Sequence, residues 1–348
     1  MQGNPFTLMF GKVASSIVPR RDTVHSIIEE FEKDMPQNQA YLFTGIRGCG
    51  KTVIMRETAR LLREHGWIIL DLNAQGDLVR SYSQTLFEEG KKNKLFSDSS
   101  LTLGAPYVSL TVKKQPLSDD PKIVARQLTK DAFEHGKRIL VTIDEVVATE
   151  SLRLFANFFQ SVMGLEVPLC LLLTGIRENI EAISSDRSMS FFSRLPKINL
   201  GPLDLGEEAI EYSKALNISL STAAVLAKRT EGYAYAYQVL GYFLYEQKKT
   251  EIDEELWEAV STHLWRNGYD VLWRDLTKVD KAFLVAVAES TSKDAQDVRA
   301  RLHMMESYYQ NFRRRLIKRG YLRADAYGKI AFALPAFDSY ALFMKTFE

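Results

Sequence analysis

Tyr41-Leu-Phe-Thr-Gly-Ile-Arg-Gly-Cys-Gly-Lys-Thr52 is an apolar run that breaks into glycines and closes on a lysine and a threonine. From Gly45 onward it fits G-x-x-x-x-G-K-[ST], the pattern of a phosphate-binding loop. Gly45, Gly48 and Gly50 permit backbone turns that a side chain would block. Those turns aim successive N–H groups inward, where they can cradle an anion. Lys51 would reach the β- and γ-phosphates as a compact, mobile cation, and the Thr52 hydroxyl would bind Mg²⁺. A helix beginning near Lys51 turns its positive end toward the same charge. The flanks supply the setting the motif needs. Ala40–Thr44 reads as a buried strand, and Val53–His65 places Met55, Ala59 and Leu62 at helical spacing before Gly66 stops it. The expected nucleotide contacts are Gly45, Ile46, Arg47, Gly48, Cys49, Gly50, Lys51, Thr52 and Val53.

A second stretch, Arg138-Ile-Leu-Val-Thr-Ile-Asp-Glu-Val-Val147, delivers an acid pair at the end of an apolar strand. Ligands in open α/β sheets sit outside the carboxyl ends of strands. Asp144 there is expected to hold Mg²⁺ through water, and Glu145 to polarise an attacking water as a general base. The same pair read alone would only cap the next helix. Between the two motifs come a strand at Trp67–Asp71, a helix at Leu78–Gly90 and a helix at Ile123–His135. The polar stretch Lys91–Asp120 separates those helices and reads as an irregular surface excursion with one edge strand, Tyr107–Val112. After Glu145 the pattern gives a helix at Ser151–Gly164, a strand at Pro168–Thr174 and a strand at Lys197–Leu200. Thr174, at a strand end, either touches a γ-phosphate or caps the strand. Arg194 either meets a γ-phosphate, in a neighbouring subunit, or forms a surface ion pair. Upstream, Val24, Ile27, Ile28 and Phe31 make a helical stripe. The preceding Pro19–Asp22 reads either as a polar cap or as a flank of a nucleotide base.

Composition bounds the rest. The chain has 348 residues, enough for two or three domains, with 46% hydrophobic and 26% charged content and a net charge of +1. Two cysteines, Cys49 and Cys170, cannot build a disulfide framework and suit a reducing cytoplasm. Cys49 is either a small side chain that fits the loop or a thiol whose oxidation blocks it. The longest apolar run is too short for a bilayer, and no signal peptide or membrane partner is expected. The five histidines lack metal-ligand spacing with cysteines or acids.

Gly201-Pro-Leu-Asp204 marks a boundary, after which the chain turns helical. Glu207–Leu216, Ser221–Arg229, Ala236–Gln247, Asp253–Arg266 and Val271–Arg274 follow one another. Three further helices are expected at Asp280–Glu289, Asp294–His303 and Ser307–Arg319. Tyr321–Asp325 and Lys329–Leu334 then pair as a hairpin. Three helices plus a hairpin is the winged-helix order. From Arg299 to Lys329 there are nine cations against two acids. Tyr309, Phe312 and Leu316 form the inner stripe of the third helix. Arg314, Arg315 and Lys318 lie on its other side, a face suited to DNA phosphates. The bland reading is a solvated basic face, or a module used only for protein docking.

Together these motifs resemble the AAA+/STAND group of P-loop ATPases, above all bacterial Orc-like ATPases with a C-terminal winged helix. The resemblance runs through Asn4-Pro-Phe6, Arg21-Asp22, Gly45–Thr52, Asp144-Glu145, Phe192-Ser-Arg194 and Leu200-Gly-Pro-Leu203. It continues in Glu231-Gly-Tyr233, Gln238-Val-Leu-Gly-Tyr242 and Arg313-Arg-Arg-Leu-Ile317 ahead of Gly320. Two departures stand out: Ala234 follows Tyr233 where relatives carry proline, and Thr230–Gln238 offers no match for a lid arginine. The resemblance implies an α/β fold: a P-loop NTPase parallel-sheet domain over 1–203, an all-α lid over 204–275 and a winged helix over 276–348. It implies Arg21 and Asp22 beside adenine, Arg194 as the arginine before the fifth strand, and ATP with Mg²⁺ as ligands. The expected activity is an ATPase acting as a nucleotide-controlled switch on double-stranded DNA, able to self-associate on binding ATP. A signalling or defence scaffold with little turnover is the alternative.

Overall fold

The computed structural model describes residues 3–9, 14–93, 95–96, 99–103, 108–112, 115–118, 120–164, 167–325 and 328–347, with backbone alone for 99–118 and Ser188. The chain divides into two compact units. One comprises Arg21–Thr44 and Lys51–Asn199; the other comprises Met1–Arg20, Gly45–Gly50 and Leu200–Glu348. No described helix is long and apolar enough to cross a membrane.

In the first unit α1 (Arg21–Phe31) precedes β1 (Ala40–Thr44). Then come α2 (Lys51–Glu64), β2 (Ile68–Asn73), α3 (Leu78–Lys92), β3 (Ser99–Leu103), β4 (Val108–Val112) and β5 (Gln115–Ser118). The unit closes with α4 (Pro121–Glu134), β6 (Ile139–Asp144), α5 (Glu150–Met163), β7 (Leu169–Gly175), α6 (Arg177–Ser185), α7 (Ser190–Arg194) and β8 (Lys197–Asn199). Five strands form one parallel sheet in the order β2-β6-β7-β1-β8. All seven residues of β7 are buried, and so are the first five of β6. Such unbroken apolar runs are what a parallel sheet covered on both faces requires. The α2 stripe Ile54, Met55, Ala59 and Leu62 is buried, as are Leu152, Phe155, Phe158, Phe159 and Val162 of α5. The Tyr82 ring of α3 packs against Phe158 of α5 at 5.0 Å, tilted by 60°, and its hydroxyl meets Thr129 of α4 at 2.6 Å, tying three helices together.

Among the described residues of 91–120 there are three strands where one was expected. β3, β4 and β5 form a three-stranded antiparallel sheet. The expected edge strand starts at Val108; Tyr107 lies outside the described residues. Pro116 argues against a strand, yet β5 holds it because an edge strand can leave one side of its backbone unpaired.

The second unit contains α8 (Leu205–Leu216), α9 (Leu220–Arg229), α10 (Ala234–Gln247), α11 (Glu254–Leu264), α12 (Asp270–Arg274) and α13 (Lys278–Glu289). It continues with α14 (Ala295–Leu302), α15 (Glu306–Arg319), β9 (Leu322–Ala324), β10 (Ile330–Phe332) and α16 (Phe337–Lys345). Side chains cap most of the starts: Asp204 for α8, Ser219 for α9, Asp253 for α11, Asp294 for α14 and a reciprocal Thr277–Asp280 pair for α13. Three helices and an antiparallel hairpin follow one another from α13 to β10; two residues of the hairpin turn, 326 and 327, lie outside the described residues. The final helix α16 lies beyond the expected hairpin and was not among the expected elements. Ala336 takes a left-handed conformation before it, and Phe337 and Tyr340 are buried.

One hydrophobic core runs through this unit, from Leu203 to Ala341, without a break at residue 275. It also includes Phe6 and Val18. Residues 3–9 and 14–20, expected with the sheet, therefore make their core contacts with helices. Two sequence motifs meet here. The Phe6 ring lies 5.6 Å from that of Tyr237, and a side chain at Gly241 would begin 2.4 Å from the Phe6 ring. The Asn4 amide donates to the Tyr242 carbonyl at 3.3 Å, and the Gln238 amide to the Ser16 carbonyl at 2.8 Å.

Within the same core Glu208 is fully buried. Its Oε2 accepts from the Thr230 hydroxyl at 2.5 Å, while Oε1 has no partner among the described residues. Burial raises its pKa to about 8; Thr230 and Arg20 oppose that rise, and Asp204 adds to it. A carboxyl whose folded pKa lies above the ordinary 4.5 binds a proton that the unfolded chain releases. Its contribution is complete below about pH 4.5 and is lost as pH climbs toward 8. The stability of the parent relative to Glu208→Gln should therefore fall by about 1.4 kcal/mol per pH unit across that window. Urea unfolding of both proteins at pH 5, 6.5 and 8 measures this, and parallel pH profiles would show that Glu208 is already ionised in the fold.

Candidate functional site

The Gly45–Thr52 loop joins β1 to α2, and the unit boundary falls inside it, between Gly50 and Lys51. Gly48 has φ +79°, and a side chain there would begin 2.5 Å from the Tyr233 hydroxyl. At Gly45 it would begin 2.7 Å from the Cys49 sulfur and 3.0 Å from the Leu200 carbonyl. Neither position tolerates a Cβ. The Cys49 N–H closes a turn onto the Ile46 carbonyl at 3.3 Å. Arg47 is exposed, Ile46 half-buried and Cys49 buried.

In the sheet unit, Lys51 opens α2 and is buried, a rare state for a lysine. Thr52 follows it and donates its hydroxyl to Asp144 Oδ2 at 2.8 Å. Thr174, fully buried at the end of β7, donates to Asp144 Oδ1. The same Thr174 hydroxyl accepts the Glu145 N–H at 2.9 Å, and the Thr174 carbonyl accepts the Val146 N–H at 2.8 Å. Thr174 thus clasps the turn that carries the acid pair. Glu145 is exposed and has φ +53°, a costly conformation for a side chain of its size. Val53, 40% exposed, lies on the first turn of α2. Sequence positions 92 residues apart therefore meet at the carboxyl edge of the sheet. Arg194 does not join them: it ends α7 just before β8 and lines a depression with Gln37, Asn38 and Gln160, at the opposite strand edge. Arg21 and Asp22 are exposed in the first turn of α1.

The helical unit supplies contacts to the glycine segment that the motifs did not indicate. The Arg20 guanidinium donates to the carbonyls of Cys49 at 3.3 Å and Gly201 at 2.6 Å. The Tyr233 hydroxyl donates to the Arg47 carbonyl at 2.9 Å, and the Tyr235 N–H to the Gly48 carbonyl at 3.1 Å. In the sequence, Arg20 lies within the Pro19–Asp22 segment and Tyr233 within Glu231-Gly-Tyr233.

Arg314, Arg315 and Lys318 of α15 are all exposed. Arg315 also pairs with the buried carboxylate of Asp280 and lies over the Phe312 ring at 4.4 Å. Arg319 reaches the same carboxylate at 3.6 Å. A buried carboxylate needs such partners, and it draws the nearest cations inward. On the hairpin, Arg323 pairs with Glu231 at 2.7 Å.

Three solved structures share the fold across nearly the whole chain. A Walker-type ATPase of Pyrococcus abyssi has a TM-score of 0.65 at 16% identity, covering 97% of this chain and 99% of that one. The ORC2 protein of Aeropyrum pernix, solved in ADPNP–ADP complexes, has a TM-score of 0.60 at 13% identity, covering 98% of each. CDC6P of Pyrobaculum aerophilum has 0.50 at 14%, covering 97% and 96%. The chain therefore has the mixed α/β fold of Orc- and Cdc6-like AAA+ ATPases. A domain of unknown function, DUF8462, matches residues 266–341. No curated protein matches the sequence.

Thr174→Val should loosen the acid turn, because one hydroxyl serves both Asp144 and the Glu145 N–H. A loss of about 1–3 kcal/mol is expected on urea unfolding, with Thr174→Ser close to the parent. An unchanged midpoint for Thr174→Val would show that the hydroxyl holds nothing.

Proposed function

We propose that this chain is a Mg²⁺-dependent ATP-binding protein that hydrolyses ATP slowly and uses the nucleotide as a switch. The observation that carries this reading is the Thr52–Asp144 hydrogen bond at the carboxyl edge of the parallel sheet. It joins the last residue of the phosphate-loop pattern to the acid expected to share its metal. A hydroxyl and a carboxylate are the hard oxygen donors that suit Mg²⁺, which takes few protein ligands and completes its shell from phosphates and water. Thr52 and Asp144 would hold the ion, which supplies charge neutralisation at the phosphates when bound. Lys51 would bind the β- and γ-phosphates, and the loop from Gly45 to Val53 the rest of the polyphosphate and ribose. Glu145, exposed beside Asp144, would accept the proton of the attacking water. Arg21 and Asp22 would flank adenine. Thr174 acts through the acid turn. Arg194, on the opposite edge, would serve only a neighbouring copy, which makes self-association part of this reading. Both cysteines are free and buried, in keeping with a cytoplasmic protein.

For the C-terminal region we propose a winged helix that binds double-stranded DNA through Arg314 and Lys318, with Lys329 on the hairpin nearby. Three helices followed by a hairpin, and exposed cations on the third helix, support it. Arg315, also exposed, is engaged with Asp280. The internal pairing of Arg315, Arg319 and Arg323 favours a second reading, a nucleotide-binding scaffold whose winged helix docks on protein.

Lys51→Ala should abolish ATP binding in calorimetry. Glu145→Gln should keep ATP bound while turnover falls about a hundredfold or more. Parental affinity in the first, or parental turnover in the second, removes the corresponding role.

The DNA reading is tested by fluorescence anisotropy of the full-length protein on duplex DNA at several salt concentrations. Replacing Arg314 and Lys318 with alanine should weaken binding and reduce the log–log salt slope by about 1.8. Absence of binding at the lowest salt, with and without ATP, would leave the scaffold.

A further inference from the structure

We propose that Arg20 and Tyr233, with the backbone of Tyr235, are positioning residues that set the orientation of the phosphate-loop peptides; this rests on the nucleotide-binding reading above. Three consecutive carbonyls of the loop are each held by a donor: Arg47 by the Tyr233 hydroxyl, Gly48 by the Tyr235 N–H, and Cys49 by the Arg20 guanidinium. In a trans peptide the carbonyl and the following N–H point in opposite directions across one plane. Holding the Arg47 and Cys49 carbonyls on the donor side therefore turns the N–H groups of Gly48 and Gly50 away from it. Those are backbone donors of the kind that cradle a phosphate. The intervening Cys49 N–H closes the turn onto Ile46.

The donors come from one small module. Arg20 also holds the Gly201 carbonyl at 2.6 Å. Two residues on, the Leu203 N–H donates to the Gly232 carbonyl at 2.8 Å, next to Tyr233. A side chain at Gly232 would begin 2.7 Å from Pro202, so these two segments lie flush. Tyr233 precedes α10, whose start has no side-chain cap. The first-turn N–H groups of a helix need external acceptors, and Tyr235 finds one in the loop itself.

The loop needs this support because of its composition. Glycine visits both halves of φ space at little cost, so the peptide planes on either side of Gly48 and Gly50 flip easily in isolation. Each flip would aim a carbonyl, not an N–H, at an anion. Fixing the planes beforehand removes an ordering cost from binding. Both bonds leave one terminal nitrogen of Arg20, Nη2, whose two N–H groups reach the Cys49 and Gly201 carbonyls, and the rigid guanidinium plane sets their directions. Burial lowers the Arg20 pKa from its ordinary value, and the Glu208 carboxyl opposes this.

The test uses full-length protein, with ADP and ATP as ligands and calorimetry plus steady-state hydrolysis as readouts. Tyr233→Phe removes only a hydroxyl and keeps the ring; Arg20→Met removes the fork and keeps the stem. Each should weaken ADP binding roughly tenfold, the value of one to two lost hydrogen bonds. The loss should appear in KM more than in kcat, and Arg20→Lys should recover part of it. The nucleotide-free melting temperature, recorded for every variant, separates this from general unfolding. If Arg20→Met does not fold, Tyr233→Phe and Arg20→Lys still decide. Parental ADP affinity in Tyr233→Phe together with any folded Arg20 variant would overturn the proposal, as would a loss confined to kcat. A parent that itself fails to bind ADP or ATP would remove the nucleotide reading and the positioning role with it. A parent that binds, beside variants that bind equally, would remove the positioning role alone.

Discussion

The carboxylate of Asp144 accepts hydroxyls from two elements, Thr52 at the start of α2 and Thr174 at the end of β7. Each hydroxyl is held by a different part of the sheet unit, so the acid is fixed between them. Two consequences follow. Thr52 is oriented by a carboxylate that needs no solvent to satisfy it. The turn after Asp144 is pinned at the Glu145 N–H and the Val146 N–H, which lets Glu145 keep a left-handed backbone. The parallel order β2-β6-β7-β1-β8 makes this possible, since it seats β7 between the strand that ends in the acid and the strand that leads into the glycine loop.

In the helical unit the organising contact is of another kind. Phe6 fills a space that exists only because position 241 has no side chain. Around it Asn4 donates to the Tyr242 carbonyl and Gln238 to the Ser16 carbonyl, each across more than 200 positions of sequence. The N-terminal segment thereby becomes part of the helical core and carries Arg20 to the glycine half of the loop. Loop peptides rich in glycine have little conformational preference of their own, and an external set of donors supplies it.

The C-terminal region shows how a buried charge redistributes a surface. Asp280 completes the cap of α13 and is then sealed from water. Desolvation of a carboxylate is expensive unless it is paired. Arg315, itself exposed, and the more buried Arg319 answer that need, so two cations of α15 are tied to an internal carboxylate.

Much of this was legible in the chain itself. The glycine loop, the acid pair after an apolar strand and the apolar run Leu169–Leu173 declare a parallel sheet, because strand and helix periodicities are local and strong. Helix starts followed the same logic, since Asp204, Ser219, Asp253 and Asp294 are caps by residue type. What tertiary structure alone decided were the long-range partners. That Thr174 pairs with Asp144, that Arg315 pairs with Asp280 and that Arg20 holds the Cys49 carbonyl depend on where each side chain finds its counterpart in space. The α16 helix and the β3–β5 sheet belong to the same class. Their short, polar or proline-bearing segments have weak local preference, and pairing with neighbours settles them. Local propensity acts over a few residues, whereas hydrogen-bond pairing and charge burial act between segments that only the completed fold brings together.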